Sequence, residues 1–196
     1  ISFYQRDTIT IAKDLLGAYL VHDAERGQTV GRIVETEAYL FDGDPACHAH
    51  KGKTKRNATM FGPPGHAYLY FIYGMHYCFN VVTASEGIGE AALIRALEPV
   101  DGIPLMKKRR RIEDLHNLCN GPGKLTMAMG LTTHLNGAPL FKGPLTIRDH
   151  GDYGEKKETF KIGAGKRVGI TLAADLTLRF YIQDNLFVSG AKRVVS

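Results

Sequence analysis

The stretch GRIVETEAYL (residues 31–40) sets two carboxylates and a phenol at alternate positions, Glu35, Glu37 and Tyr39. Its β-branched and apolar residues predict a strand, and side chains alternate across a strand. Val34, Thr36, Ala38 and Leu40 then share a mostly apolar face, while Ile33, Glu35, Glu37 and Tyr39 share the other. Carboxylates on a rigid strand beside an aromatic ring suit a pocket in which a flat substrate meets an acid or base. A half-exposed strand with two solvated glutamates has the same pattern, so this segment alone leaves both readings open.

Other residues could join this chemistry. His48 and His50 lie in a loop that continues into the basic residues Lys51, Lys53, Lys55 and Arg56. The run AYLYFIYGMHYCFNVV (67–82) predicts a hairpin turning at Gly74, with Tyr68 and Tyr70 on one face and Tyr73 at the tip. A large ring on an exposed tip is unfavourable in water unless something covers it. Stacked bases that can be wedged apart would do so, as would a neighbouring loop. Arg95 interrupts the apolar run AALIRAL (91–97) and calls for an anionic partner, either a phosphate, Glu35 or Glu37.

The elements that position these residues can be read along the chain. Asp7 or Thr8 caps a helix running through Lys13–Leu16, with Ile11 and Leu15 inward and Gly17 at its end. Residues 18–23 and 29–40 form an antiparallel hairpin. Residues 41–66 are rich in Gly, Pro, Asp and Lys without periodicity, and a loop of this length is usually functional. Residues 105–115, LMKKRRRIEDL, predict a helix whose Lys107–Arg111 run is either a patch for a polyanionic backbone or a solvated face. The loop NGPGK (120–124) leads into a helix over LTMAMGL, an arrangement able to hold a phosphate or simply to start the helix. Residues 144–150 and 177–185 read as strands. GAGKRVGITLA (163–173) lacks the spacing of a P-loop.

Composition narrows the class. With 196 residues, 44% hydrophobic and 23% charged, the chain is expected to form one soluble domain over residues 1–196. No apolar run is long enough to span a membrane, and the start, ISFYQRDTIT, has no signal-peptide pattern. A net charge of +5 is compatible with a polyanionic partner without requiring one. Cys47, Cys78 and Cys119 are odd in number and widely spaced, which argues against a disulfide scaffold and for a reducing, intracellular compartment. Three functions fit: an enzyme acting on a base or sugar of nucleic acid, a non-catalytic single-strand-binding module using aromatic platforms, or a glycosidase with Glu35 and Glu37 as its pair. The absence of tryptophan counts against the last.

GRIVETEAYL, the loop reaching His48, MFGPPGHAYLYFIYGMHYCFNVV and LIRALEP, in that order, resemble the alkyladenine (3-methyladenine) DNA glycosylase family. NGPGKL (120–125) and RVGI (167–170) followed by LRFY extend the resemblance more loosely, and no helix-hairpin-helix signature is evident. The resemblance implies an α+β fold, a single mixed domain with a curved antiparallel sheet flanked by helices and a protruding β-hairpin. It implies a monofunctional enzyme that acts as a monomer on double-stranded DNA inside the cell, flipping out damaged purines and hydrolysing the N-glycosidic bond. By that resemblance Glu37 is the general base. Arg95 helps to hold the water and a nearby phosphate. Tyr39, His48 and Tyr70 sandwich the flipped base. Asn80 crowds the amine of normal guanine, and the Val168 carbonyl helps to hold the water. Tyr73, with Met75 beside it, intercalates into the DNA. The resemblance implies no metal or cofactor, so Cys47, His48 and His50 are expected to belong to the pocket rather than to a metal site.

Overall fold

A computed structural model describes residues 2–72, 76–149 and 159–190. The organising element is strand β2 (Gly27–Tyr39), which carries GRIVETEAYL. Along its first half it pairs with β1 (Tyr19–Ala24), and from Val30 to Tyr39 with β5 (Ala91–Asp101). Where β1 ends, β8 (Arg179–Ile182) takes over the free edge and pairs with Glu35, Thr36 and Glu37. The β2 segment bearing the two carboxylates is thus hydrogen-bonded on both sides, which fixes the direction of every side chain on it.

The sheet continues outward as β3 (Ala67–Ile72), β4 (His76–Val82), β5, β2, β1 and β6 (Leu145–Arg148). Strand β7 (Ile162–Gly165) joins through β8. All pairings among the described residues are antiparallel, as the α+β reading expects. The register slips around Glu35: Glu35 faces Ala96 and Thr36 faces Ile94, so Arg95 is left without a register partner. A bulge of this kind bends the strand and re-aims a side chain. Here the re-aimed side chain is Arg95.

Helix α1 (Thr8–Asp14) opens on Asp7, whose carboxylate accepts from the Thr10 N–H at 2.8 Å. Ile11, Ala12 and Leu15 are buried against the sheet. The buried Thr36 donates to the Ala12 carbonyl at 2.6 Å, so the Thr36 face of β2 meets α1. The opposite face carries Glu35, Glu37 and Tyr39. The helix is shorter at its C-terminal end than the sequence pattern predicted, because Leu15 already serves as its cap.

Helix α2 (Ile103–Arg110) stops earlier than the expected residue 115, at Arg111 in the left-handed region with φ 55°. Its basic run is divided: Lys108 and Arg111 are exposed, while Lys107, Arg109 and Arg110 are partly buried. Arg109 donates to the Ala128 carbonyl at 3.0 Å, at the C-terminal end of helix α3 (Pro122–Met129). Arg110 donates to the carbonyls of Leu118 and Asn117, and Lys107 pairs with Glu113 at 3.0 Å. Cations at carbonyl-rich helix ends are favourable, so Arg109 and Arg110 help to pack α2 against α3 and the turn before it, while Lys108 and Arg111 face solvent. Helix α3 starts at Pro122, inside NGPGK, where a proline is well suited to the first turn. No helix among the described residues is long and apolar enough to cross a membrane.

Candidate active site

Glu37 is completely buried, which rules out the solvated-strand reading. Its Oε2 accepts from the Tyr39 hydroxyl at 2.9 Å, its Oε1 accepts from the Val168 N–H at 2.8 Å, and Arg95 Nε lies 3.5 Å from Oε1. Burial pushes the Glu37 carboxyl above the ordinary glutamate range, and Arg95, the Val168 N–H and the Tyr39 hydroxyl only partly offset that rise. The result is a carboxylate with heightened proton affinity, held by named partners on a rigid strand. That is what a general base needs.

A cavity of about 330 Å³ opens beside this carboxylate. Tyr39, His48, Tyr70, Asn80, Arg95 and Val168 all line it, and Glu37 stands behind three of them, bonded to Tyr39 and Val168 and next to Arg95. The structure therefore gathers into one place residues drawn from β2, the 41–66 loop, both arms of the hairpin, β5 and the segment between β7 and β8. Tyr73 and Met75, the expected intercalating pair, lie outside the described residues.

The lining is aromatic. His48 and Tyr70 meet edge-on with centroids 4.5 Å apart, and Tyr68 lies 5.3 Å from Tyr70, so the three rings form one continuous surface. His48 Nδ1 shares a hydrogen bond with the Tyr68 hydroxyl at 3.1 Å. Partial burial and the nearby Arg56 hold His48 below the usual histidine value, which favours the neutral ring at neutral pH. Burial pushes the Tyr68 hydroxyl up to about 12, so it remains a phenol. Asn80 donates through Nδ2 to the Tyr68 carbonyl at 3.1 Å, which fixes its amide at the cavity wall. Met60, Cys78, Leu93 and Gly169 supply further lining. The Cys47 thiol turns away, donating to the Gly89 carbonyl at 3.6 Å, and His50 is exposed. No group of three or more His, Cys, Asp or Glu side chains among the described residues is arranged to hold a metal ion.

Two ion-pair systems brace the site; sequence reasoning offered Glu35 as a partner for Arg95 but found neither the Arg167–Asp44 pair nor the parts played by Arg179 and Ser189. Arg167 is buried and grips Asp44 with both Nη atoms at 2.6 Å, donates to the Ala38 carbonyl at 3.0 Å and stacks over Tyr39 at 4.6 Å. It thereby ties the 41–66 loop to the backbone that delivers the Val168 N–H. Glu35, also fully buried, accepts from Arg95 Nε at 3.1 Å, Arg179 Nε at 2.5 Å, and the Ser189 N–H and hydroxyl at 2.8 Å each. Arg167 had one available signal, its place just before Val168 in the RVGI motif; Asp44 and Ser189 had none, being isolated polar residues in irregular segments. For Val168 the expectation concerned its carbonyl, whereas the contact the structure shows is made by its N–H, to Glu37.

The chain matches the family described as Methylpurine-DNA glycosylase (MPG) over residues 2–186. It is 57% identical over 188 residues to a protein of Methanoculleus marisnigri, covering 96% of each chain. It is 50% identical over 187 residues to one of Carboxydothermus hydrogenoformans, covering 95% of this chain and 96% of the relative. A protein of Chlorobium phaeobacteroides is 46% identical over 191 residues, covering 97% and 94%. All three carry 3-methyladenine DNA glycosylase in their names. With a buried, partnered carboxylate at an aromatic cavity and a match spanning nearly the whole chain, the protein belongs to the methylpurine-DNA glycosylase family and is a DNA N-glycosylase.

Proposed function

We propose that this protein removes damaged purines from duplex DNA as a single-domain monomer, by flipping the nucleotide into the aromatic cavity and hydrolysing its N-glycosidic bond. The observation that carries this reading is the buried Glu37 carboxylate, held by Tyr39 and Val168 next to Arg95 at the cavity. A base inside the stack is out of reach of any such group, so extrusion must come first. The ring surface of His48, Tyr68 and Tyr70 suits the π-face of a purine. Tyr73 and Met75 are proposed, on the sequence resemblance, to fill the gap left in the duplex.

In the chemical step the C1′–N9 bond breaks and its electron pair leaves with the purine. Positive charge develops on the sugar, and the Glu37 carboxylate lies close enough to stabilise it. A water oxygen bonds to C1′ while its proton passes to Glu37. Alkylated purines carry a positive charge and leave readily. Neutral lesions such as hypoxanthine and etheno-adenine need a proton from another donor. No lysine lines the cavity among the described residues, which supports hydrolysis over a Schiff-base route. Asn80, fixed at the wall, excludes the exocyclic amine of normal guanine. An enzyme acting on chromosomal DNA works inside the cell.

The test is incubation with duplex DNA bearing one hypoxanthine or one etheno-adenine, with chelator present, followed by alkali. Strand breaks at the lesion are expected. Tight binding without breaks would instead make this a non-catalytic nucleic-acid-binding module.

A further inference from the structure

Glu35 has no acid–base part in the reaction proposed above, yet donors from β5, β8 and the C-terminal segment converge on its fully buried carboxylate. We infer that Glu35 is a positioning residue: it anchors Nε of Arg95, so that Arg95 stands beside Glu37 without closing on it as a full ion pair. The inference rests on Glu37 being the base.

The geometry supports a division of labour between the two glutamates. Arg95 sits in the register slip opposite Glu35, so its aim is not set by strand pairing. Its Nε is 3.1 Å from Glu35 and 3.5 Å from Glu37, with the Ser189 hydroxyl 3.3 Å away. Among the described residues, Arg95 hydrogen-bonds only through Nε. A guanidinium is planar, so tying down Nε fixes the rest of the fork, and that fork borders the cavity. Arg179 and Ser189 hold Glu35 in turn, and Arg179 also donates to the Ser189 carbonyl at 3.2 Å. Without the Glu35 charge, the nearest anion for Arg95 is Glu37. The fork would close on it, as arginine does on carboxylates, taking lone pairs that must face the water and weakening the base.

The charged and titratable groups around Glu37 are Arg95 from β5, Arg179 opposite it on β8, Tyr39 and Glu35 on β2, Arg167 before Val168, and Cys78 on β4. Glu35 itself raises the proton affinity of Glu37, so deleting its charge and releasing Arg95 act in the same direction.

The test uses Glu35→Gln in the full chain. Single-turnover excision of hypoxanthine from duplex DNA should slow by about 10- to 100-fold, the scale of a misplaced active-site group, with lesion-DNA affinity kept within a few-fold. The Glu37 carboxyl, followed by carbon-13 chemical shift without DNA, should titrate at lower pH than in the wild type. If Glu35→Gln does not fold, Ser189→Ala removes one donor from Glu35 while sparing the backbone, and should move both readouts the same way by less. A rate within threefold of wild type, a loss of DNA affinity in step with the rate, or a Glu37 titration unmoved or raised overturns the inference. Failure of the wild type to excise any lesion would defeat the functional reading instead, and the Glu37 titration in Ser189→Ala, which keeps the Glu35 charge, would still decide the role of Glu35.

Discussion

Val168 and Glu37 stand 131 positions apart in the chain, yet the Val168 N–H reaches Glu37 Oε1 at 2.8 Å. A backbone donor cannot be replaced by changing a side chain, so it is the loop's placement that decides whether Glu37 keeps it. That placement falls to Arg167, one residue earlier, through its double grip on Asp44. The Glu37–Val168 bond thus depends on a buried ion pair that touches neither atom of it.

Arg167→Met therefore leaves Asp44 as a buried carboxylate without its counter-ion, and breaking such a pair typically destabilises by about 3–5 kcal/mol. Urea unfolding should show a loss of this order. Excision, measured where the variant is still folded, should fall as well, because the Val168 loop is no longer fixed. A variant as active and stable as wild type would mean the pair is incidental.

Burial of Glu37 makes an opposite prediction for Glu37→Gln. The folded-state proton affinity of Glu37 is raised. Below the unfolded-state value both states are protonated and folding is indifferent to this group. Between the two values the folded state holds a proton that the unfolded state has released, so stability falls as pH rises through that window. Above it the full penalty of an ionised buried group remains. Glu37→Gln should accordingly gain stability relative to wild type as pH rises, read by urea midpoints from acid to neutral pH. A constant difference across that range would contradict the burial argument.

Asn80→Ser opens the wall where the guanine amine would meet the amide, and also removes the donor to the Tyr68 carbonyl. Slow release of normal guanine from undamaged duplex DNA should increase, scored as abasic sites. If abasic sites do not increase while the melting temperature drops, Asn80 serves the strand pair and not selectivity.

Much of this site was readable in the sequence because its residues sit on regular elements. Alternation along β2 placed Glu37 and Tyr39 on one face, and the hairpin pattern placed Tyr68 and Tyr70 together. Arg95 announced itself as a charge in an apolar run, with Glu35 and Glu37 among its candidate partners, and both flank it. What stayed hidden was long-range and irregular. Asp44 and Arg167 meet across 123 positions, and Ser189 reaches Glu35 across 154. No periodicity links such segments. The end of α2 was misjudged for a related reason: Arg109 and Arg110 read as surface charge, but tertiary carbonyls claim them.

The most direct test of the account compares lesion binding with lesion excision in Glu37→Gln. The amide can keep the geometry, with its oxygen on the Val168 N–H and its NH₂ donating to the Tyr39 oxygen, while losing the capacity to take a proton. Affinity for duplex DNA carrying 7-methylguanine or hypoxanthine should stay within a few-fold of wild type. Single-turnover excision should fall by about 10²- to 10⁴-fold, the usual contribution of a positioned general base. Excision within a few-fold of wild type, in a variant that binds normally, would show that Glu37 is not the base.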